Sequence, residues 1–171
     1  MKVEKYRLVD WEEPKTGLLI DENEEWVLVK HIPVDYVVDG YKLYRKAFIA
    51  KRTTGEAELF IAKVLQLKGV KTNKPAGFTF QKVVETLQWS QDRYGLFEFQ
   101  DQSETELFYG RINSCRDGVL IIDMIKSKGE EEKAYEYEFE IEQIRVITFE
   151  SDYFESIRLL WQDQKKNNND L

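Results

Sequence analysis

The chain has 171 residues, 42% of them hydrophobic and 13% aromatic, with a net charge of −7. This composition is typical of a folded globular protein and excludes low-complexity and disordered classes. No apolar run approaches the roughly 20 residues that cross a bilayer, and the first residues lack the apolar core of a secretory signal. Cys115 is the single cysteine, so a disulfide framework and a thiolate metal cage are excluded. We therefore expect a cytoplasmic protein with no membrane partner.

The first 70 residues show short apolar runs separated by turns, the pattern of a small β-rich unit. A glycine opens the run at 17–20, an acidic turn follows, and a second run occupies residues 26–29. Residues 53–56 have the spacing of a capping box, which predicts the start of a helix. Gly69 is expected to end that helix. Its apolar face is predicted from helical spacing to contain Ala57, Phe60, Ile61, Val64 and Leu67.

Residues 71–94 are predicted to be a polar linker followed by a helix. The stretch 70–75 is rich in lysine, asparagine and proline, which is typical of a linker. Residues 80–93 have helical periodicity, with Phe80, Val83, Val84 and Leu87 on one face.

Residues 95–164 resemble the first copy in pattern. Gly110 opens an apolar run, a turn follows at 116–118, and a β-rich run occupies 119–122, about 93 residues after the matching runs of the first copy. Later, residues 142–147 match residues 47–52 at an offset of 95. Ser151 is predicted to cap a closing helix. The apolar face of that helix is expected to be Phe154, Ile157, Leu160 and Trp161.

These patterns predict a mainly β fold with a few helices (α+β), arranged as a structural duplication. Residues 1–70 and 95–164 would each form a small Sm-like or SH3-like barrel of about five strands followed by a helix. A linker and helix at 71–94 would join them, and the polar tail at 165–171 is expected to be disordered.

Two segments resemble a known group of proteins. Residues 26–41 (WVLVKHIPVDYVVDGY), and residues 144–149 (IRVITF) leading into 153–160 (YFESIRLL), are similar to uncharacterised bacterial proteins with Sm-like or SH3-like barrels. The resemblance implies the tandem-barrel fold and carries no activity with it. RNA-binding Sm proteins would be expected to carry an Asp-x-x-Met-Asn-like loop and an Arg-Gly-Asp/Asn-like loop, and neither occurs in this sequence.

No arrangement of residues indicates catalysis, a cofactor or a metal. His31 is the only histidine, which gives little support to a catalytic triad or a histidine metal site. The acidic run at 21–25 is not a calcium loop of the EF-hand type, because Trp26 and Ile32 occupy the sixth and twelfth positions. Neither nucleotide-binding glycine motif is present. We therefore expect a non-enzymatic protein without a cofactor.

The charges are distributed unevenly along the chain. Residues 1–74 have 14 lysines and arginines against 12 acids, whereas residues 75–171 have 11 against 20. The stretch 41–52 interleaves rings and cations, a composition that suits single-stranded nucleic acid but also an ordinary solvated strand. The possible contact residues are Tyr41, Lys42, Tyr44, Arg45, Lys46, Lys51 and Arg52.

The matching stretch of the second copy is acidic. Residues 135–142 alternate strictly, so a strand would place Glu136, Glu138 and Glu140 in one row with Glu142. Such a row repels phosphate but could meet the basic stretch, within the chain or in a neighbouring copy. We therefore predict an interaction module that mediates protein–protein contact or self-association, with RNA or single-stranded nucleic-acid binding as the alternative.

The segment 35–41 is the most distinctive local motif. Asp39 and Gly40 between β-forming residues indicate a tight turn. The compatible functional interpretation is a ligand-contacting loop in which Asp35, Tyr36 and Asp39 make the contacts.

Overall fold

A computed structural model describes residues 1–170. The chain divides into two compact units, an N-terminal unit from Met1 to Phe80 and a C-terminal unit that begins at Gln81. Each unit contains an antiparallel sheet and at least one α-helix. No helix among residues 1–170 combines the length and the apolar character needed to span a membrane.

The N-terminal unit contains five strands in the order β4-β3-β2-β1-β5, all antiparallel. A short 3-10 helix, η1, precedes the last strand, and helix α1 follows it. The elements are β1 (Val3–Leu8), β2 (Lys15–Glu22), β3 (Trp26–Ile32), β4 (Tyr41–Arg45), η1 (Lys46–Phe48), β5 (Ile49–Thr53) and α1 (Glu56–Leu67).

The C-terminal unit begins with helix α2, and its strands follow the order β10-β8-β7-β6-β11, with the short β9 paired to β8. A 3-10 helix, η2, again precedes the last strand, and helix α3 follows it. The elements are α2 (Val83–Tyr94), β6 (Phe97–Gln100), β7 (Phe108–Arg116), β8 (Val119–Ile125), β9 (Glu131–Glu132), β10 (Phe139–Glu140), η2 (Ile141–Gln143), β11 (Val146–Phe149) and α3 (Asp152–Asn169).

The two units share strand register as well as strand order. Gly17 is opposite His31 in the first unit, and Gly110 is opposite Met124 in the second, an offset of 93 on both strands. The register shifts three residues after each of these glycines, between Leu19 and Asp21 and between Ile112 and Ser114. The offset that the sequence pattern indicates is therefore present in the hydrogen-bonded register.

Glycine is required at positions 17 and 110 for the same physical reason. A Cβ on Gly17 would lie 2.6 Å from a methyl carbon of Val29, and one on Gly110 would lie 2.7 Å from the carbonyl oxygen of Asp123. The neighbouring strand approaches so closely at both positions that a side chain does not fit.

Helix α1 differs from its prediction in two ways. Its N-cap is Gly55, whose N–H donates to Glu58 Oε2 at 2.7 Å, so the cap lies two residues beyond the predicted start of the capping box at residue 53. Its fully buried residue is Leu65, which packs with Val3, Leu18 and Ile32. Of the predicted apolar face, Ile61 and Val64 are half-buried, whereas Ala57, Phe60 and Leu67 are exposed. The end of the helix is as predicted: Gly69 has φ +72°, and Val70 N–H donates to Leu65 O at 3.0 Å.

Helix α3 begins as predicted and continues further than predicted. Phe154 N–H donates to Ser151 Oγ at 3.0 Å, which confirms the cap. Phe154, Ile157 and Trp161 are buried, but Leu160 is 45% exposed. Residues 165–169 of the predicted disordered tail continue the helix, and Leu171 lies outside the described residues.

Candidate interaction surface

The rings of the predicted basic aromatic surface lie in the interior. Tyr44 is fully buried and stacks on Tyr6, with 5.2 Å between ring centroids. Tyr41 is 5% exposed, and its hydroxyl donates to the carbonyl oxygen of Asn73 at 2.9 Å. Neither ring is exposed enough to stack on a base, so Tyr41 and Tyr44 do not provide the ring contacts that the nucleic-acid alternative assigns to them. The physical reason is that β4 is buried on both faces, with only Lys42 half-exposed.

The cations of the same stretch are largely paired with acids of the same unit. Arg52 donates to Glu4 and to Glu22 at 2.7 Å each, and Lys46 Nζ lies 2.6 Å from Glu22. Arg45 Nε lies 3.5 Å from a Glu25 oxygen. The hydrogen bonds from Arg52 and Lys46 lower the pKa of Glu22 to about 2. These cations therefore stabilise the unit itself.

Lys51, another cation of the stretch, is exposed on β5. Its partner in the register of β1 and β5 is Arg7, which is also exposed. Neither side chain forms an ion pair with any residue of the described range 1–170. Together they are the unpaired cations at this edge of the N-terminal unit.

The acidic stretch is exposed, but it is not the long strand that its alternation predicts. Only Phe139 and Glu140 are in a strand, where Phe139 pairs with Leu120 and is fully buried. Glu142 lies in the 3-10 helix η2, so it does not continue the row. The exposed carboxylates of Glu136, Glu138 and Glu140 have no ion-pair partner among the described residues. The alternating sequence did not predict the irregular backbone at 135–138, because alternation does not show which residues hydrogen-bond to a neighbouring strand.

The loop flagged as a possible contact site joins β3 to β4. Gly40 has φ +66°, as the predicted turn requires, but the tip of the loop is formed by Asp35 and Tyr36 between the bridged residues Val34 and Val37. Asp39 N–H donates to His31 O at 2.8 Å, which holds the base of the loop and points to a structural role for Asp39. Asp35 and Tyr36 are exposed.

A groove of about 450 Å³, here named the N-terminal groove, separates this loop from helix α1. One wall is the loop, the other is the first two turns of α1, and the floor is formed by β2 and β3. The lining residues are Thr16, Ile32, Pro33, Val34, Asp35, Tyr36, Ala57, Phe60 and Ile61. The sequence did not identify Val34 and Phe60 as surface residues, although α1 has more apolar positions than one helical face can bury.

The C-terminal unit has a groove at the equivalent place, with a volume of about 680 Å³. Thr16 and Ile32 of the N-terminal groove correspond at the offset of 93 to Tyr109 and Ile125, which line this second groove. Its chemistry is more polar, since it also contains an ion pair of 3.3 Å between Lys126 and Glu132. The Tyr109 hydroxyl donates to the buried carboxylate of Glu98.

His31 is held in its neutral form. Its Nδ1 atom is buried without a hydrogen-bond partner, and burial, assisted by the nearby cation Lys42, lowers its pKa to about 3. Among the described residues no group of three or more His, Cys, Asp or Glu side chains is arranged to hold a metal ion.

We expect the imidazole of His31 to make folding pH-dependent. An unfolded chain takes up a proton near the ordinary histidine pKa of about 6.5, whereas the folded chain does so only near 3. Stability from this group should therefore decrease as pH falls from about 6.5 towards 3. In urea unfolding, His31→Phe should flatten this part of the stability curve. An unchanged slope, or an imidazole NMR signal that titrates near pH 6, would contradict the assignment.

A scan of the chain against protein-family models found no match, and neither did searches of curated proteins and of solved structures. No relative therefore supplies a function for this chain.

Proposed function

We propose that the protein is a non-enzymatic, cytoplasmic interaction module that associates with further copies of itself through β5 of one copy and β10 of the next. In the same proposal each unit is a Sm-like or SH3-like barrel. This part of the proposal is supported by the order of five strands that the two units share, with a 3-10 helix before the last strand in each. The observation that carries the self-association is the opposite unpaired charge at two strand edges.

The basic edge belongs to β5. Among the described strands β5 is hydrogen-bonded only to β1, so its other edge has free N–H and C=O groups. Such an edge accepts a further strand unless something opposes it. Lys51 on β5 and Arg7 beside it are exposed and without ion pairs. The edge therefore repels a copy of itself and favours an acidic strand.

The acidic edge belongs to β10. In its unit β10 is hydrogen-bonded only to β8. Glu138 and Glu140 are exposed at this edge, and Glu136 precedes them. Opposite charges on paired strands contribute only ~0.2–1 kcal/mol each, but they select the partner and its register. Because the two edges differ, the contact is head-to-tail, which builds rings or chains of copies.

We expect the triple substitution E136K/E138K/E140K to abolish self-association. Size-exclusion chromatography with light scattering at about 50 mM salt should give a mass above the 20.4 kDa of one chain for the wild type. The triple variant should elute as single chains, because like charges would then meet at the contact. The matched control is E24K/E106K/E130K, which changes the net charge equally at other exposed acids and should keep the wild-type mass.

A charge swap makes the test specific. The variant R7E/K51E should also be a single chain, and mixing it with E136K/E138K/E140K should restore a complex, because the reversed edges complement each other again. A wild type that is a single chain at low salt would refute the proposal, as would a triple variant of unchanged mass. Binding of a labelled single-stranded oligonucleotide that weakens steeply with salt would instead support the nucleic-acid alternative.

A further inference from the structure

We infer that the N-terminal groove binds a short segment of another protein, which inserts apolar side chains beside a lysine or arginine. This inference is independent of the self-association proposed above, because the groove residues belong to neither charged edge. It rests on three features of the groove: its exposed apolar walls, its rigid construction and one unpaired carboxylate.

The walls expose large apolar side chains to water. Val34 is 57% exposed and Phe60 is 61% exposed, on opposite sides of the groove, and Tyr36 is 42% exposed beside Val34. Monomeric proteins rarely keep such residues together at one place unless a ligand or partner covers them.

The walls of the groove are fixed by packing and hydrogen bonds within the N-terminal unit. Its floor residue Ile32 is 3% exposed and belongs to a core cluster with Leu65, against which Ile61 packs. The loop wall is held by the hydrogen bond from Val37 N–H to Val34 O at 3.1 Å. From the helix side, Lys68 Nζ donates to Tyr36 O at 3.1 Å. A preformed groove spends little binding free energy on ordering its walls.

The charge of Asp35 indicates which side chains the bound segment would contain. Asp35 lines the groove at the tip of the loop, in a left-handed conformation with φ +47°. Its carboxylate is exposed and forms neither a hydrogen bond nor an ion pair with the described residues 1–170. A carboxylate beside an apolar surface selects a partner with a cation next to its apolar anchor. Arginine and lysine are the side chains that meet this requirement.

The volume of about 450 Å³ also limits the occupant. It falls in the range of roughly 300–1,000 Å³ that is typical of ligand sites. It suits a few side chains of an extended or helical segment. The equivalent groove of the C-terminal unit contains Tyr109 and Ser127 at the positions of Thr16 and Val34. The C-terminal groove therefore has no counterpart of the exposed Val34, although Leu107, Met124 and Ile125 also line it.

The experiment uses random 12-residue peptides displayed on phage and selected on the full chain. We expect the enriched peptides to share one or two large apolar residues beside a lysine or arginine. A labelled synthetic copy of the most enriched peptide is then titrated by fluorescence anisotropy. F60E should weaken its binding by about tenfold or more, whereas D35N should weaken it severalfold and reduce its salt dependence. L67E is the matched control, because Leu67 is 74% exposed on the same helix but does not line the groove.

Each outcome decides the inference. It is overturned if no peptide is enriched, if the enriched peptides bind F60E as well as wild type, or if they lack cations and ignore D35N. If F60E instead lowers the mass seen in light scattering, the groove holds a second copy and the inference is also overturned. Thermal unfolding verifies that F60E is folded, and V34E on the opposite wall replaces it if it is not. Failure here leaves the test of the charged edges unaffected, since that test uses other residues.

Discussion

Replacing Gly129 with alanine is expected to lower the free energy of unfolding by about 3 kcal/mol, through backbone strain and overpacking together. Gly129 has φ +84°, and a Cβ there would lie 2.5 Å from the carbonyl carbon of Leu160 and 2.7 Å from Trp161 N. These are backbone atoms of helix α3 and cannot rotate away. The turn also positions Glu131, whose carboxylate accepts a hydrogen bond from Trp161 Nε1 at 3.1 Å. The substitution would therefore separate α3 from the turn that holds it.

Gly118 provides the control for this prediction. It has φ +77°, but nothing lies within 4 Å of the position of its Cβ. Gly118→Ala should therefore cost only the strain of the left-handed backbone, about 1 kcal/mol. The two variants are compared by urea unfolding monitored by tryptophan fluorescence. Equal losses of stability would mean that the close approach of Gly129 to α3 contributes nothing.

The second large effect is expected for Arg52→Met, about 3 kcal/mol of lost stability at pH 7. Arg52 donates to Glu4 at 2.7 Å, and Glu4 is 4% exposed. The Tyr6 hydroxyl donates to the same carboxylate oxygen at 2.7 Å. Without the guanidinium, Glu4 would be a nearly buried carboxylate that has lost its main cation. Breaking such a pair costs more than an exposed ion pair contributes, because the remaining charge stays desolvated.

The pH dependence identifies the cause. Burial raises the pKa of Glu4, but hydrogen bonds from Arg52, Tyr6 and Lys2 outweigh it, so the pKa lies below its ordinary value. In the wild type, Glu4 therefore adds stability above the unfolded pKa, and this is lost as pH falls below about 4.5. In Arg52→Met, burial should prevail and raise the pKa of Glu4. Protonation then removes the buried charge, so the loss of stability should shrink between pH 7 and pH 4.5.

The double variant E4Q/R52M is the control for this mechanism. Its glutamine cannot ionise, so its stability relative to wild type should lack the recovery that Arg52→Met shows on mild acidification. Urea unfolding at pH 7 and pH 4.5 measures both variants. If Arg52→Met lowers the free energy of unfolding equally at the two pH values, the unpaired charge of Glu4 is not the cause of the loss. The loss would then belong to the ion pair with Glu22 or to the guanidinium over the Tyr6 ring, where Arg52 Cζ lies 5.5 Å from the centroid.

The local and repeated features of this protein can be predicted from its amino-acid sequence. The offset of 93 between Gly17 and Gly110 appears in the strand register. The cap at Ser151 and the helix end at Gly69 also occur where the pattern places them. These features depend on a few neighbouring residues, since caps, turns and strand periods act over short distances. Such local preferences can be read without knowing the partner elements.

Which side chains are buried and which charges pair depends on the tertiary fold and could not be predicted from the sequence. Arg52 reaches Glu4 and Glu22, 48 and 30 residues away, so the basic stretch is paired within its own unit. Tyr44 lies among lysines and arginines in the sequence, which is typical of a surface residue, but its ring is buried against Tyr6. Phe60 has the spacing of a core residue but lies in the wall of the N-terminal groove. Burial and pairing depend on where distant elements pack, and helical or strand period does not contain that information.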